Sequence, residues 1–151
     1  MVYLKNAHVD EFPWFHMYLE ELNYVRNESK IWEAFLEWSC LSENEAFNVV
    51  SYGTFPIVNI KKSIFDNAHG YGHFDPNFPQ DIWVRRDSVQ TYENTTDPTV
   101  EWQTAKYLEM LILHELVHWG RHHSGVGDDF EYDGLDSGKM FANAAYKNRH
   151  K

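Results

Sequence analysis

The chain contains only one cysteine, Cys40, among its 151 residues. No intrachain disulfide can form, and cysteine thiolates cannot build a metal cluster. A metal ion would have to be held by histidine and carboxylate side chains, which are the other ligands that zinc takes in proteins. Cys40 itself follows Trp38 in an apolar stretch, which favours a buried thiol.

Basic residues are also scarce, with 13 Lys and Arg against 23 Asp and Glu, and the formal net charge is −10. The basic residues do not cluster, which argues against a nucleic-acid partner and against an anionic membrane surface. No stretch approaches the roughly 20 apolar residues of a membrane-spanning helix. The N-terminus lacks a charged start followed by an apolar run, so the sequence does not predict a signal peptide there.

The N-terminal half of the chain has the pattern of a helical layer. Apolar residues recur at helical spacing over residues 15–25 and again over residues 30–41. Ser42 and Glu45 have the spacing of a capping box, which predicts the start of a short third helix. The length of the chain suits a single domain over residues 1–151 with one hydrophobic core.

Two short strands are predicted next. Residues 55–60 read as an edge strand, because Pro56 cannot donate a hydrogen bond to a neighbour in a central position. Residues 66–79 read as a loop, and residues 81–85 alternate as a second strand does.

A long helix is predicted to follow. Asp97 and Pro98 suit its first positions, and it should run over residues 99–119 and end before Gly120. Its second half is apolar on nearly all sides, which is typical of a buried helix. Together these patterns predict an α+β fold with a helical N-terminal half, a small β-sheet and a long buried helix.

The segment HELVH, residues 114–118, lies within that buried half. His114 and His118 are one helical turn apart, so their rings can reach the same ion. Glu115 can then reach a water activated by the metal and act as its general base. Because a buried helix carries two histidines and a glutamate only where they are paired or ligated, the segment predicts a Zn²⁺-dependent hydrolase of peptide bonds.

The third metal ligand is not evident from spacing. A longer zinc-peptidase motif requires glycine and histidine where this chain has Arg121 and Ser124. His122 lies about 12 Å from His114 along the helix axis. It could join the site, as could its neighbour His123, only if the helix broke at Gly120.

An acidic residue before the final predicted helix, residues 138–147, is the other possible source of a ligand. The three candidates are Glu131, Asp133 and Asp136. The run from Asp129 also resembles the start of a calcium-binding loop, but Met140 occupies the twelfth position, where that loop needs glutamate. The candidates for stabilising an oxyanion are Tyr132, His123 and Tyr146.

Two runs carry a family resemblance: ILHELVHWG at residues 112–120 and GKMFANAAY at residues 138–146. Together they resemble the metallopeptidase toxin domains of bacterial polymorphic toxins, including the C-terminal effector domains of type VI secretion spike proteins. The resemblance covers about the last 80 residues. It implies a minimal zincin fold and a zinc site of two histidines and one glutamate, with Glu115 as the base.

The resemblance also has implications for biology. It implies an antibacterial toxin that hydrolyses peptide bonds in a competing cell and has a cognate immunity protein as partner. Delivery would proceed without a signal peptide, through a dedicated injection machine, with the chain as the C-terminal domain of a larger secreted protein.

One position departs from the pattern. The family usually has glutamate directly after the Gly-Lys-hydrophobic-Phe run, and this chain has Ala142 there. Either this chain recruits another ligand, such as Asp136 or His122, or Ala142 is an inactivating substitution introduced by engineering. Two alternative functions stay open: a zinc-dependent amidase acting on cell-wall peptide, and a catalytically inactive domain that binds a partner.

Overall fold

A computed structural model describes residues 2–61, 72–127 and 131–146. Its helices are α1 (Asn6–Glu11), α2 (Pro13–Glu20), a 3-10 helix (Leu22–Asn27), α3 (Ser29–Ser39), α4 (Glu43–Val50), α5 (Arg86–Asn94), α6 (Pro98–His123) and α7 (Ser137–Ala145). Its strands are β1 (Val2–Leu4), β2 (Tyr52–Lys61), β3 (Gly72–Phe74), β4 (Asp81–Arg85), β5 (Glu131–Tyr132) and β6 (Leu135–Asp136). The predicted α+β class is confirmed. Within the described residues, no helix combines the length and apolar character needed to cross a bilayer.

The main sheet has the order β1-β2-β4-β3, with β1 and β4 parallel to β2, and β3 antiparallel to β4. β2 is therefore an interior strand, and its predicted edge position is wrong. Pairing with β4 begins at Ile57, and the register with β1 is irregular between Tyr52 and Ile57. Pro56 lies in that irregular stretch, where a missing N–H interrupts no regular ladder.

The loop predicted at residues 66–79 lies partly outside the described residues. Its described part contains β3 in place of the predicted loop, and β3 forms one edge of the sheet beside α6.

The long helix α6 begins as predicted, with the Asp97 carboxylate accepting a hydrogen bond from the Thr99 N–H at 2.9 Å. It continues through Gly120 to His123, so its predicted end is wrong. A Cβ at Gly120 would lie 2.8 Å from the carbonyl oxygen of Ser39. Gly120 thus allows the end of α3 to pack closely against α6.

Arg121 joins the same two helices. Its guanidinium donates to the Trp38 carbonyl at 3.2 Å and lies 3.3 Å from the Cys40 Sγ. Cys40 is half-buried rather than fully buried, and its backbone adopts a left-handed conformation with φ 61° at the end of α3.

The final helix α7 packs on both α3 and α6. A hairpin of β5 and β6 precedes it, and its two-residue turn, Asp133 and Gly134, has positive φ at both positions. An Asp-Gly pair favours this kind of turn. Asp136 ends the hairpin and accepts a hydrogen bond from the Lys139 N–H at 2.8 Å, capping α7.

Candidate metal centre

The two histidines of α6 converge on the start of α7. Their ring centroids lie 5.1 Å apart. Ligand atoms of His114, His118 and Asp136 all lie within 4.8 Å of one another. The structure therefore brings the two predicted histidine ligands together with one of the acidic candidates.

A glycine of α7 faces the histidine pair. A Cβ at Gly138 would lie 2.4 Å from His114 Nε2 and 2.7 Å from His118 Nε2. Only glycine therefore lets the start of α7 come this close to both nitrogens. Two imidazole nitrogens and a carboxylate oxygen that lie within 4.8 Å of one another form a donor set that suits Zn²⁺.

The Asp136 carboxylate is oriented by the helix that it caps. One oxygen accepts from the Lys139 N–H, and Oδ2 lies 3.6 Å from His118 Nε2. The other acidic candidates, Glu131 and Asp133, are exposed and do not join the group. Asp136 can therefore supply a third, oxygen ligand on the side of His118.

Ser137 contacts the opposite nitrogen of His118. Its hydroxyl oxygen lies 3.4 Å from His118 Nδ1, and the serine is buried. A proton on Nδ1 can be donated to this oxygen, which leaves Nε2, the nitrogen that approaches Gly138 and Asp136, with a lone pair for a metal ion. The sequence pattern gave no signal for Ser137, because its contact depends on how α7 approaches α6.

Glu115 completes the group from the side of His114. Its Oε2 lies 3.9 Å from His114 Nε2, and the residue is 3% exposed. The carboxylate is thus held against the histidine pair in a largely dry environment.

The chain matches the family described as metallopeptidase toxin 3 over residues 8–147. It belongs to that family. Comparisons with curated proteins and with solved structures give no match. The metallopeptidase toxin family implies a peptidase that uses a metal, in agreement with the group of His114, His118 and Asp136, which could hold one.

Ala142 lies one helical turn after Gly138, on the same face of α7, and packs against the core. Because helical side chains lean towards the helix N-terminus, a glutamate at this position would extend back towards Gly138 and the histidines. In this metallopeptidase toxin domain, residue 142 has only a methyl group as its side chain, which does not extend towards the histidines as a glutamate would.

The remaining predicted ligand, His122, does not reach the centre. α6 does not break at Gly120, and His122 is exposed near the end of the continuous helix. Neither His122 nor His123 belongs to the group of ligand atoms that the described residues bring together.

The three oxyanion candidates are also placed elsewhere. His123 Nε2 lies 2.7 Å from the Pro79 carbonyl oxygen, and the Tyr146 hydroxyl donates to Glu109 at 2.8 Å. Tyr132 is 67% exposed and pairs with Leu135, on the opposite face of the hairpin from Asp136.

Proposed function

We propose that this metallopeptidase toxin domain is a Zn²⁺-dependent enzyme whose active site lies between α6 and the start of α7. His114 and His118 hold the ion, and Asp136 supplies an oxygen ligand. The observation that carries the proposal is that ligand atoms of His114, His118 and Asp136 lie within 4.8 Å of one another. The antibacterial role is proposed from the family, whose members are described as toxins.

Each residue has a defined part in the proposed reaction. A bound Zn²⁺ supplies Lewis acidity, which polarises a carbonyl and lowers the pKa of water to about 7. Glu115 accepts the proton of the attacking water and passes it to the leaving amine nitrogen as the C–N bond breaks. Ser137 holds the His118 ring in the orientation that presents Nε2.

The position of β3 supports an extended peptide as substrate. β3 is the last strand of its sheet within the described residues, and it packs beside α6. A peptide can pair with such an edge through backbone hydrogen bonds. This arrangement would hold a scissile bond close to the catalytic helix.

Two further parts of the proposal concern biology. A cognate immunity protein would protect the producing cell, as membership of a toxin family suggests. The domain would enter a competing bacterium as part of a larger secreted protein.

The experiment compares the wild-type chain, Glu115→Gln and Ala142→Glu in zinc content and in hydrolysis of casein. Ala142→Glu is expected to bind zinc more tightly, by about tenfold, because its glutamate can take the place of Asp136 as the third ligand and leave the fourth position to water. Hydrolysis is expected to rise with it, and Glu115→Gln should lower hydrolysis at least about 100-fold without removing zinc.

Unchanged zinc affinity and no gain of activity in Ala142→Glu would sink the idea that position 142 lacks a ligand. Purified peptidoglycan, assayed in parallel, distinguishes a cell-wall amidase from a protease. Zinc binding without hydrolysis of either substrate, in both the wild type and Ala142→Glu, would favour the inactive partner-binding domain.

A further inference from the structure

Helix α6 carries a second buried carboxylate besides Glu115, that of Glu109, which is completely buried. The Tyr146 hydroxyl donates to its Oε1 at 2.8 Å, and the Tyr24 hydroxyl donates to its Oε2. The Lys106 ammonium lies 3.4 Å from the same Oε2. The two hydroxyls and the ammonium group therefore offset the free-energy cost of removing the Glu109 carboxylate from water.

The Tyr24 and Tyr18 hydroxyls keep their protons more strongly than an exposed tyrosine does. Burial raises the pKa of Tyr24, and its hydrogen bond to Glu109 raises the pKa further. Burial also raises the pKa of Tyr18, whose hydroxyl donates to the Ala105 carbonyl at 3.1 Å. Both hydroxyls therefore stay protonated donors at physiological pH.

The network joins the far end of α7 to α6. At the start of α7, Gly138 faces the histidine pair, and at its end Tyr146 bonds to Glu109, which precedes those histidines in α6. The two helices therefore run antiparallel with one polar contact point at each end. The contact points are separated by about 12 Å along α7, at 1.5 Å per residue.

We propose that Tyr146 is a positioning residue for the metal centre, acting through its hydrogen bond to Glu109. The bond fixes where α7 lies along α6, and so sets the distances from Asp136 and Gly138 to the histidine nitrogens. This inference rests on the proposed zinc site. Metal sites tolerate deviations of only about 0.2 Å in ligand distance, so a small slide of α7 changes affinity.

Two tyrosines donate to the same carboxylate, and this supplies a matched control. Tyr146 follows α7, the helix that Asp136 caps, whereas Tyr24 lies in the 3-10 helix, which carries none of the site residues. The Tyr146 ring also packs edge-on against Phe141, with centroids 6.1 Å apart. A phenylalanine at position 146 keeps this packing and removes only the hydroxyl.

The test measures zinc affinity by competition with a chromophoric chelator, together with the melting temperature of the metal-free proteins. Tyr146→Phe is expected to weaken zinc binding about tenfold, while Tyr24→Phe stays within about threefold of the wild type. Both should lower the melting temperature by similar amounts. Equal effects on zinc affinity, or no loss in Tyr146→Phe, would overturn the proposal.

Glu109→Gln serves as a second variant if Tyr146→Phe folds poorly, because a neutral amide is a weaker acceptor for the same hydroxyl. Its zinc affinity should lie between those of the wild type and Tyr146→Phe, and wild-type affinity would contradict the inference. A wild-type chain that binds no zinc would overturn the proposed function itself. If the wild type binds zinc, and Tyr146→Phe and Glu109→Gln bind it with the same affinity, only the positioning role is overturned.

Discussion

Two glycines of this protein are required for different reasons. At Gly138, an added Cβ would meet the ends of two histidine rings, at 2.4 Å and 2.7 Å from their Nε2 atoms. At Gly120, it would meet the Ser39 carbonyl oxygen at 2.8 Å and the Leu41 side chain at 3.0 Å. The histidine rings can rotate away from a methyl group at residue 138. The Ser39 backbone can move away from a methyl group at residue 120 only at a larger cost in free energy.

This contrast predicts opposite effects of two alanine substitutions. Gly138→Ala is expected to weaken zinc binding by at least about tenfold, with little change in the stability of the metal-free protein. Gly120→Ala is expected to destabilise the fold by about 1–3 kcal/mol through overpacking, with zinc affinity of the folded protein unchanged. Chelator competition and urea unfolding measure the two quantities, and the same pattern in both variants would contradict this assignment.

For individual residues, the sequence predicts those contacts that depend only on spacing within one helix. His114 and His118 converge because residues four apart share a face of a helix. Ser137 and Gly138 could not be predicted in the same way, because their contacts arise from the packing of α7 on α6.

The β5–β6 hairpin and α7 meet at Asp136, whose carboxylate lies near two groups. One carboxylate oxygen caps α7 through the Lys139 N–H, and the other lies 3.6 Å from His118 Nε2. The end of the hairpin thus couples the start of a helix to the proposed metal site.

Asparagine and alanine at position 136 separate these two contacts. Asp136→Asn keeps a good helix cap and should leave the stability of the metal-free protein nearly unchanged, whereas Asp136→Ala should lower it by about 1 kcal/mol. Both should weaken zinc binding, because neither keeps the carboxylate. Calorimetric titration with zinc and urea unfolding are the measurements, and wild-type zinc affinity in Asp136→Asn would remove Asp136 from the ligand set.

Element boundaries show where sequence reasoning failed. Proline at position 56 suggested an edge strand, but the register irregularity beside β1 accommodates it in an interior strand. Glycine at position 120 suggested a helix end, but it permits close packing with α3. In both cases the residue type only limits the structures that the backbone can adopt. Tertiary contacts then determine which of these structures forms. The Asp133-Gly134 turn follows from its residue types, since an Asp-Gly pair favours positive φ at both positions.

For the whole molecule, the buried tyrosines predict a loss of stability at high pH. Burial raises the pKa of both Tyr18 and Tyr24, so the folded state keeps protons that the unfolded chain releases near pH 10. Their contribution is fully present below about pH 10 and is lost as the pH rises further. The slope is about 1.4 kcal/mol per pH unit for each proton retained only in the folded state.

Urea unfolding between pH 8 and 11 measures this slope. Tyr24→Phe should make it shallower, and Tyr132→Phe should leave it unchanged, because Tyr132 is 67% exposed. Identical slopes in the two variants would contradict the role given to the buried network.

The broad architecture was accessible from the sequence, because the helical layer and the buried helix follow from apolar periodicity. The strand order β1-β2-β4-β3 was not, since β1 is three residues long and pairs with a strand some 50 residues away. Such pairing depends on the packed helices between the strands and leaves little local signal.

The junction of α6 and α7 is proposed to bind one zinc ion. Calorimetric titration of the metal-free chain with Zn²⁺, beside the variant carrying both His114→Ala and His118→Ala, is the decisive measurement. One ion is expected to bind per chain in the wild type, and the double variant is expected to lose that binding. No binding by the wild type, or equal binding by both proteins, would contradict it.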